Sequence, residues 1–216
     1  SKAFTFRDDG PSVTVDSSKA PTLTVDETNL AIDASASFAP AFAPLYGADG
    51  AGTNVFSLAV INGADSGVID VATGAPVFLF KNPVTGDIEG HAGKPNPDPL
   101  AVNKFLPDAA GAVDFVIHVD PTSGVVTLDQ QRALQHPDGS NPDDPVQLSG
   151  NAGVTLNDTV TDRDGDSKVG SLDISKAFTF RDDGPSVTVD SSKAPTLTVD
   201  ETNLAIDASA SFAPAF

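Results

Sequence analysis

Short runs in which hydrophobic and polar residues alternate cover most of the chain. In residues 113–119, Phe115 and Ile117 fall on one face of an extended strand, and Asp114 on the other face is predicted to meet solvent. Further strands are predicted at residues 3–6, 12–15, 22–25, 55–61, 76–80, 125–128, 154–160, 169–174 and 177–180. Turn-forming Pro, Gly and Asp residues separate these runs. The pattern predicts an all-β fold, an antiparallel β-sandwich with one buried face on each sheet.

Two long stretches, residues 34–53 and 90–111, do not follow the strand pattern. Both exceed the usual length of a loop, and such loops are commonly either functional or poorly ordered. Phe38, Phe42 and Phe105 would be unfavourable in free solvent. We therefore expect both stretches to pack against the sandwich.

An exact duplication sets the organisation of the chain. Residues 1–42 recur without a change at residues 175–216, an offset of 174 positions. Shared secondary-structure preference cannot produce such identity, so the chain is a window on a tandem array. The predicted domains are residues 1–16, the end of the preceding repeat and a linker; residues 17–190, one complete β-sandwich repeat; and residues 191–216, the incomplete start of the following repeat. The C-terminal copy is expected to fold only in part.

Charge restricts the choice of partners. The chain has 30 acidic and 12 basic residues, a formal net charge of −18, which disfavours nucleic acid and anionic membrane surfaces. Divalent cations are the natural complement, although a solvated, salt-tolerant surface explains most scattered acids. There is no Cys, so neither disulfides nor thiolate metal sites stabilise the fold, and calcium is a common substitute outside the cell. No apolar run long enough to span a membrane is visible, and no membrane insertion is predicted.

The sequence DRDGD at residues 162–166 is the sharpest candidate for metal binding. Asp162, Asp164 and Asp166 alternate around a glycine, so one tight loop can direct several hard oxygen ligands at one calcium ion. The loop does not follow the EF-hand pattern, which requires Gly at the position of Ser167. The alternative is an Asp-rich turn without an ion.

Other acidic residues lie near the repeat boundary. Asp8 and Asp9 belong to a DDGP sequence, and Asp182 and Asp183 are their copies. Adjacent side chains after a strand point in opposite directions, so the pair serves one ion or bridges two. The remaining candidates are Glu27, its copy Glu201, and Asp49 in a glycine-rich loop where a plain turn is an equal alternative.

A geometric hypothesis connects these residues. Residues 168–180 read as one long or lightly broken strand, which would place residues 162–166 at one end of the domain and residues 182–183 at the other. Each DRDGD loop would then meet the DDGP turn of the preceding repeat. The hypothetical junction site consists of Asp8 and Asp9 of the preceding unit with Glu27, Asp162, Asp164 and Asp166 of this unit, and the next junction begins at Asp182, Asp183 and Glu201.

Catalysis has little support in the sequence. G-x-S-x-G, H-E-x-x-H and phosphate-binding glycine loops are all missing. His91, His118 and His136 are isolated and are predicted to be surface residues. The chain is therefore predicted not to be an enzyme; a hydrolase with two convergent carboxylates is the alternative.

Several landmarks occur in a characteristic order: LTVDET, GADGAG, GVIDVATGAPVFLF, TSGVVTLDQ, VTDRDGDS and FTFRDDGP. This order resembles the large repeats of type I-secreted, repeats-in-toxin (RTX) adhesins of Gram-negative bacteria. The resemblance covers essentially the whole repeat and implies an immunoglobulin-like β-sandwich that binds calcium. By position, the family's calcium loop falls on residues 162–166 and its closing DDGP on residues 182–185. The Pro-rich segment at residues 94–107 departs from the family pattern.

The resemblance also implies a function. Such repeats are extender domains, stiffened by calcium, that project a ligand-binding region from the bacterial cell surface for adhesion and biofilm formation. The expected partners are neighbouring repeats of the same chain, in an extracellular, monomeric rod. The alternative is a repeat that itself binds a glycan or protein partner through residues 90–111.

Overall fold

Short strands joined by tight turns make up the structure, a computed structural model that describes residues 3–4, 9–185 and 187–216. Within these ranges, the helical segments are 3-10 turns of three residues: Ser17–Lys19, Glu27–Asn29, Ala39–Ala41, Ser175–Ala177, Ser191–Lys193 and Ala213–Ala215. No helix among the described residues has the length and hydropathy needed to cross a membrane. The predicted all-β fold is confirmed.

Sixteen strands are found in the described residues. They are β1 (Ser12–Val15), β2 (Leu23–Asp26), β3 (Ala34–Ser37), β4 (Phe42–Leu45), β5 (Ala51–Ala59), β6 (Ala64–Ile69), β7 (Pro76–Lys81), β8 (Ile88–Ala92), β9 (Lys94–Pro95), β10 (Phe105–Leu106), β11 (Val113–Val119), β12 (Val125–Gln130), β13 (Pro145–Gln147), β14 (Thr155–Asp162), β15 (Ser167–Asp173) and β16 (Phe178–Arg181). All of them lie in the compact unit Ser1–Asp183, and the described residues of the unit Gly184–Phe216 form 3-10 turns and irregular segments without a strand.

The strands form a sandwich around one apolar core. One layer is a six-stranded sheet in the order β3-β12-β11-β8-β7-β6, and two three-stranded sheets, β15-β14-β5 and β13-β16-β2, pack against it. Phe115 of β11 meets Phe180 of β16 with ring centroids 5.2 Å apart, so the two layers are in direct contact. Burial of these side chains removes apolar surface from water, which is the main stabilising contribution to such a core.

The first and last strands of the core, β2 and β16, pair in parallel. Leu23 lies opposite Phe178 and Asp26 opposite Arg181, whereas the other strand pairs are antiparallel. Because parallel strands run in the same direction, the residues that follow them emerge at the same edge. The pairing therefore brings Glu27, after β2, next to Asp182, after β16.

The two stretches without a strand pattern do pack against the sandwich. Residues 34–53 form β3, β4 and the beginning of β5, and Phe38 and Phe42 are buried. Residues 90–111 form the end of β8 and the small β9-β10 hairpin, where Phe105 is half-buried. The prediction that both stretches lack strands was wrong. They are rich in Pro, Gly and Ala, and their strands therefore show little alternation of hydrophobic and polar residues.

Asp114 contradicts the prediction that it faces solvent. The register between β8 and β11 shifts between Val113 and Phe115, a β-bulge that rotates the intervening side chain inward. Asp114 is fully buried as a result, while Phe115 and Ile117 are buried as predicted. The alternating pattern failed at a single irregular position.

The segment predicted as one long or lightly broken strand, residues 168–180, is broken in the middle. Strand β15 ends at Asp173, a 3-10 turn spans Ser175–Ala177, and β16 continues in a different sheet. Ser175 stabilises the break, because its hydroxyl donates to Asp173 Oδ1 at 2.7 Å and accepts from the Val154 amide at 2.9 Å. The chain thereby crosses from one sheet to another.

The duplicated segment has two different environments in the same chain. Leu23 is 2% exposed, whereas its copy Leu197 is 48% exposed. Strand β1, in residues that the sequence assigned to the preceding repeat and linker, pairs with β4 and packs on β15. The first copy thus belongs to the sandwich, and residues 187–216 lack the strands that would cover them.

Val13 and its copy Val187 allow a matched test of this difference. Val13 packs against the core, and Val187 is 73% exposed. Val13→Ala is expected to lower the free energy of unfolding by about 1 kcal/mol, since it removes partly buried methyl groups. Val187→Ala is the control and should have no measurable effect in urea denaturation. Equal effects of the two substitutions would show that β1 does not contribute to the sandwich.

Candidate metal centre at the repeat seam

Two loops meet at one edge of the β15-β14-β5 sheet. Strand β5 begins at Ala51 and is antiparallel to β14, which ends at Asp162, so the loop before β5 lies beside the loop after β14. The Arg163 amide donates to the Gly50 carbonyl at 3.2 Å, which ties the two loops together. The sequence GADG is thereby placed against DRDGD.

Three predicted ligands converge at this edge. Asp49, Asp162 and Asp164 each offer a carboxylate oxygen, and these oxygens all lie within 4.8 Å of one another. Three negative charges at this separation repel one another unless a cation lies between them. We call these three residues, with Asp9 and Asp166, the seam cluster.

Asp162 is the buried centre of the seam cluster. Its side chain closes the loop, because Oδ1 accepts hydrogen bonds from the amides of Gly165 at 3.1 Å and Asp166 at 2.8 Å. Gly165 has φ +109°, a conformation that favours glycine in this turn. Asp162 is 3% exposed, and its Oδ2 has no hydrogen-bond partner among the described residues. A buried carboxylate oxygen without a donor among the described residues is the kind of group that a bound water or cation satisfies.

The end of the preceding repeat lies over the same loops. A Cβ atom at Gly47 would collide with the main-chain oxygen of Asp9 and would lie 3.2 Å from Asp9 Oδ2. A Cβ atom at Gly10 would lie 3.6 Å from Asp166 Oδ2. The structure therefore brings Asp9 and Asp166 to the seam cluster. Asp8 lies outside the described residues.

The donor set fits calcium. All five side chains of the seam cluster are carboxylates, and calcium takes 6–8 oxygen ligands at flexible angles, including main-chain carbonyls and water. The five carboxylates come from three separate segments of the chain. An ion bound here would therefore connect the preceding DDGP turn to two loops of the sandwich.

Glu27 lies in a second cluster, away from the grouping that the sequence hypothesis gave it. Glu27, His136 and Asp182 each offer one ligand atom within 4.8 Å of the others. Glu27 Oε1 accepts hydrogen bonds from Gln130 Nε2 at 2.6 Å, the Leu134 amide at 2.8 Å and His136 Nε2 at 3.3 Å. The parallel pairing of β2 and β16 explains this position, and it could not be read from the sequence.

The other two predicted ligands have no such surroundings. Asp183 and Glu201 are exposed, and neither joins a group of three potential ligands within the part of the chain that the structure describes. Asp183 and Glu201 are the copies of Asp9 and Glu27, whose own surroundings come from the complete sandwich.

The prediction that the histidines lie at the surface holds only for His118, whose side chain is 53% exposed. Its Nδ1 lies 2.6 Å from Asp87 Oδ1. His91 is buried, with Nε2 2.9 Å from Glu89 Oε2 and Nδ1 3.0 Å from the Gly111 carbonyl. The His136 side chain is 4% exposed. The sequence around His91 and His136 did not predict that these two side chains are buried.

A buried ionisable cluster was not predicted from the sequence. Asp70 and Asp114 share Arg132, which donates from Nη2 to Asp70 Oδ1 at 2.9 Å and from Nε to Asp114 Oδ1 at 3.1 Å. Desolvation, followed by the negative charge of Asp70, raises the pKa of Asp114 to about 7. Desolvation alone would raise the pKa of Asp70, but hydrogen bonds with Thr73, Arg132 and Asp114, together with the positive charge of Arg132, outweigh it and lower that pKa. One positive charge thus serves two carboxyl groups.

Comparison with known proteins gives a match to a family model. The family model described as "Domain of unknown function (DUF5801)" matches residues 22–175, more than half of the chain. No curated protein and no solved structure matches the chain. The matched segment begins just before β2 and ends just before β16, so it contains most of the sandwich, the DRDGD loop and the GADG loop.

Proposed function

The chain belongs to the DUF5801 family of domains of unknown function, and we propose that it is an extender repeat whose seams are stiffened by calcium. The proposed protein is an extracellular bacterial surface adhesin of the repeats-in-toxin type, in which tandem repeats project a ligand-binding region from the cell. Its partners are neighbouring repeats of the same chain.

The observation that carries the proposal is the meeting of two repeats at the seam cluster. Asp9 and Gly10, which belong to the closing turn of the preceding unit by sequence identity, lie against Gly47 and Asp166. Buried Asp162 lies beside them, and its Oδ2 has no hydrogen-bond partner in the described part of the chain. An ion that draws its ligands from both sides would restrict the rotation of one repeat relative to the next.

Composition and duplication support the same reading. An exact tandem copy indicates that the unit works in an array, where length is the property that repetition changes. The formal charge of −18 keeps such an array soluble and favours divalent counterions. Without cysteine, ions are an available means of stabilisation outside the cell.

A protein of two complete tandem repeats tests the proposal. We expect 10 mM calcium to increase its maximum dimension in small-angle X-ray scattering and to raise its melting temperature, because bound ions fix the seam. At a dissociation constant of about 10⁻⁴ M, this concentration would stabilise each site by roughly 2.7 kcal/mol. Unchanged dimension and melting temperature with calcium would contradict the proposal.

Two glycine substitutions make the same experiment specific for the seam. Gly47→Ala in the second repeat would push Asp9 away, and we expect it to remove the calcium-dependent extension. Gly74→Ala is the matched control, since Gly74 has φ +67° against +70° for Gly47 but nothing within 4 Å of the added Cβ. The backbone strain of about 1–2 kcal/mol is therefore common to both.

A second candidate function is supported by a groove beside the β9-β10 hairpin. The groove has a volume of about 580 Å³ and is lined by Phe78, Phe105 and Leu106 among other residues. Leu100 and Val102, in the same Pro-rich loop, are 89% and 95% exposed. These features suit a repeat that itself binds a glycan or protein partner. Binding of an isolated repeat to cells or to a glycan array would favour this function, and inert behaviour with calcium-dependent stiffness would favour the extender.

A further inference from the structure

We propose that Glu27, His136 and Asp182 form a second metal site, which takes a borderline divalent cation such as Zn²⁺ rather than calcium. The three ligand atoms lie within 4.8 Å of one another. This site differs from the seam cluster in one chemical respect, the imidazole nitrogen. Imidazole suits Zn²⁺ and its neighbours in the first transition row, whereas calcium prefers oxygen ligands.

The fold holds the three ligands from three directions. Glu27 follows β2 and Asp182 follows β16, the parallel pair in which Asp26 lies opposite Arg181. His136 comes from the segment after β12. This segment is fixed by the bridge between Asp70 and Leu134 and by the hydrogen bond from the Gln135 amide to the Ile69 carbonyl at 2.8 Å. The ligands are therefore positioned by paired backbone rather than by free loops.

Surrounding hydrogen bonds orient the first ligand. Gln130 Nε2 and the Leu134 amide both donate to Glu27 Oε1, at 2.6 and 2.8 Å. The Asp182 amide donates to the Asp144 carbonyl at 3.2 Å, which fixes the backbone of the third ligand. Such outer contacts orient ligands in zinc sites, and their loss commonly weakens metal binding 10–100-fold.

His136 is the residue whose surroundings call for a ligand. The side chains of Glu27 and His136 are both 4% exposed, so the imidazole is nine-tenths buried. Its Nδ1 has no hydrogen-bond partner among the described residues, and its Nε2 makes only the long contact of 3.3 Å to Glu27 Oε1. Within the described ranges, neither nitrogen has a short hydrogen bond. A buried polar group so poorly satisfied by the protein is the kind of group that an ion explains.

The site also gives the two acids of the DDGP turn separate roles. Asp182 faces Glu27 and His136 of its own repeat, whereas Asp9, the counterpart of Asp183, lies at the seam cluster of the following repeat. One turn thus reaches two chemically different sites. The second site lies within one sandwich, so its occupancy does not depend on the calcium site, and the two can fail independently.

Cobalt(II) titration of the 216-residue chain tests the inference. Cobalt(II) replaces zinc in nitrogen and oxygen sites and absorbs visible light much more strongly when it is four-coordinate than when it is six-coordinate. With 10 mM calcium present throughout, we expect visible bands that saturate at one equivalent and disappear when Zn²⁺ is added. The absence of such bands in the presence of calcium would overturn the proposal, whether or not the seam binds calcium.

Matched substitutions assign the bands to the site. His136→Gln and Asp182→Asn should each weaken cobalt binding at least about 10-fold, because each removes a ligand. His118→Gln is the control, since His118 is an exposed histidine that also contacts a carboxylate. Asp182 is only half-buried, so Asp182→Asn stays informative if His136→Gln does not fold. Equal affinity in Asp182→Asn and the unsubstituted chain would show that the metal lies elsewhere.

Discussion

Asp162→Asn is expected to destabilise the chain in calcium and to stabilise it in a chelator. At 10 mM calcium and a dissociation constant of about 10⁻⁴ M, losing the site would lower the free energy of unfolding by roughly 2.7 kcal/mol. In a chelator, the substitution removes one negative charge from the seam cluster and relieves repulsion, a gain on the order of 1 kcal/mol. Urea denaturation at both conditions measures the two effects.

The substitution is conservative because asparagine keeps the oxygen that closes the loop. Asp162 Oδ1 accepts the amides of Gly165 and Asp166, and an Asn oxygen can accept the same two hydrogen bonds. Asp33→Asn removes an exposed carboxylate elsewhere and should change stability by less than about 0.5 kcal/mol in either condition. If Asp162→Asn destabilised equally with calcium and with chelator, Asp162 would be only a turn-closing residue.

Part of the seam cluster was predictable because Asp162, Asp164 and Asp166 are local in sequence. A hairpin loop such as residues 162–166 brings Asp162 and Asp164 together through its own turn, whatever the rest of the fold does. Asp9 was predictable for a different reason, since the exact repeat showed which turn lies at a boundary. Asp49 needed one more step, the antiparallel pairing of β5 with β14.

The position of Glu27 was not predictable, because it depends on pairing between the two ends of the domain. Strand β2 and strand β16 are separated by most of the repeat, and alternation in each strand says nothing about which partner it takes. A parallel partner instead of an antiparallel one moves the residue after the strand to the opposite edge. Because of that single pairing, Glu27 lies beside His136 and Asp182 and not beside the DRDGD loop, where the sequence hypothesis had placed it.

The buried acids show a second limit of pattern reading. Period-two alternation assigns a face by counting residues, and one β-bulge between Val113 and Phe115 reverses the assignment for Asp114. Asp70 follows the end of β6 and precedes a turn, where an acidic residue is ordinarily solvated. The neighbouring Thr73 donates to Asp70 from its amide and its hydroxyl, and Arg132, far along the chain, supplies the positive charge that makes the burial of Asp70 tolerable. The alternating pattern shows neither the bulge nor the partner Arg132.

The stability of the protein is expected to fall with rising pH through the titration of Asp114. Burial and the charge of Asp70 raise the pKa of Asp114 from 3.8 to about 7 in the folded state. The folded state therefore binds the proton more tightly than the unfolded chain. This contribution is fully present below pH 3.8 and is lost as the pH rises through about 7. Over these three pKa units, the loss is at most about 4 kcal/mol.

Asp114→Asn isolates this effect from the other acids. Asparagine is neutral at every pH and can still accept from Arg132, so the variant should match the unsubstituted chain near pH 4 and exceed its stability near pH 8 by about 2–4 kcal/mol. Asp70 has the opposite dependence, because its lowered pKa favours folding at higher pH. Asp70 is present in both chains, so the difference between them measures the titration of Asp114 together with its coupling to Asp70. The measurement is urea denaturation from pH 4 to 8, with Asp33→Asn as the exposed control. Parallel curves for Asp114→Asn and the unsubstituted chain would mean that Arg132 keeps both carboxyl groups ionised, and that the bulge at Val113 buries a charge instead of a neutral acid.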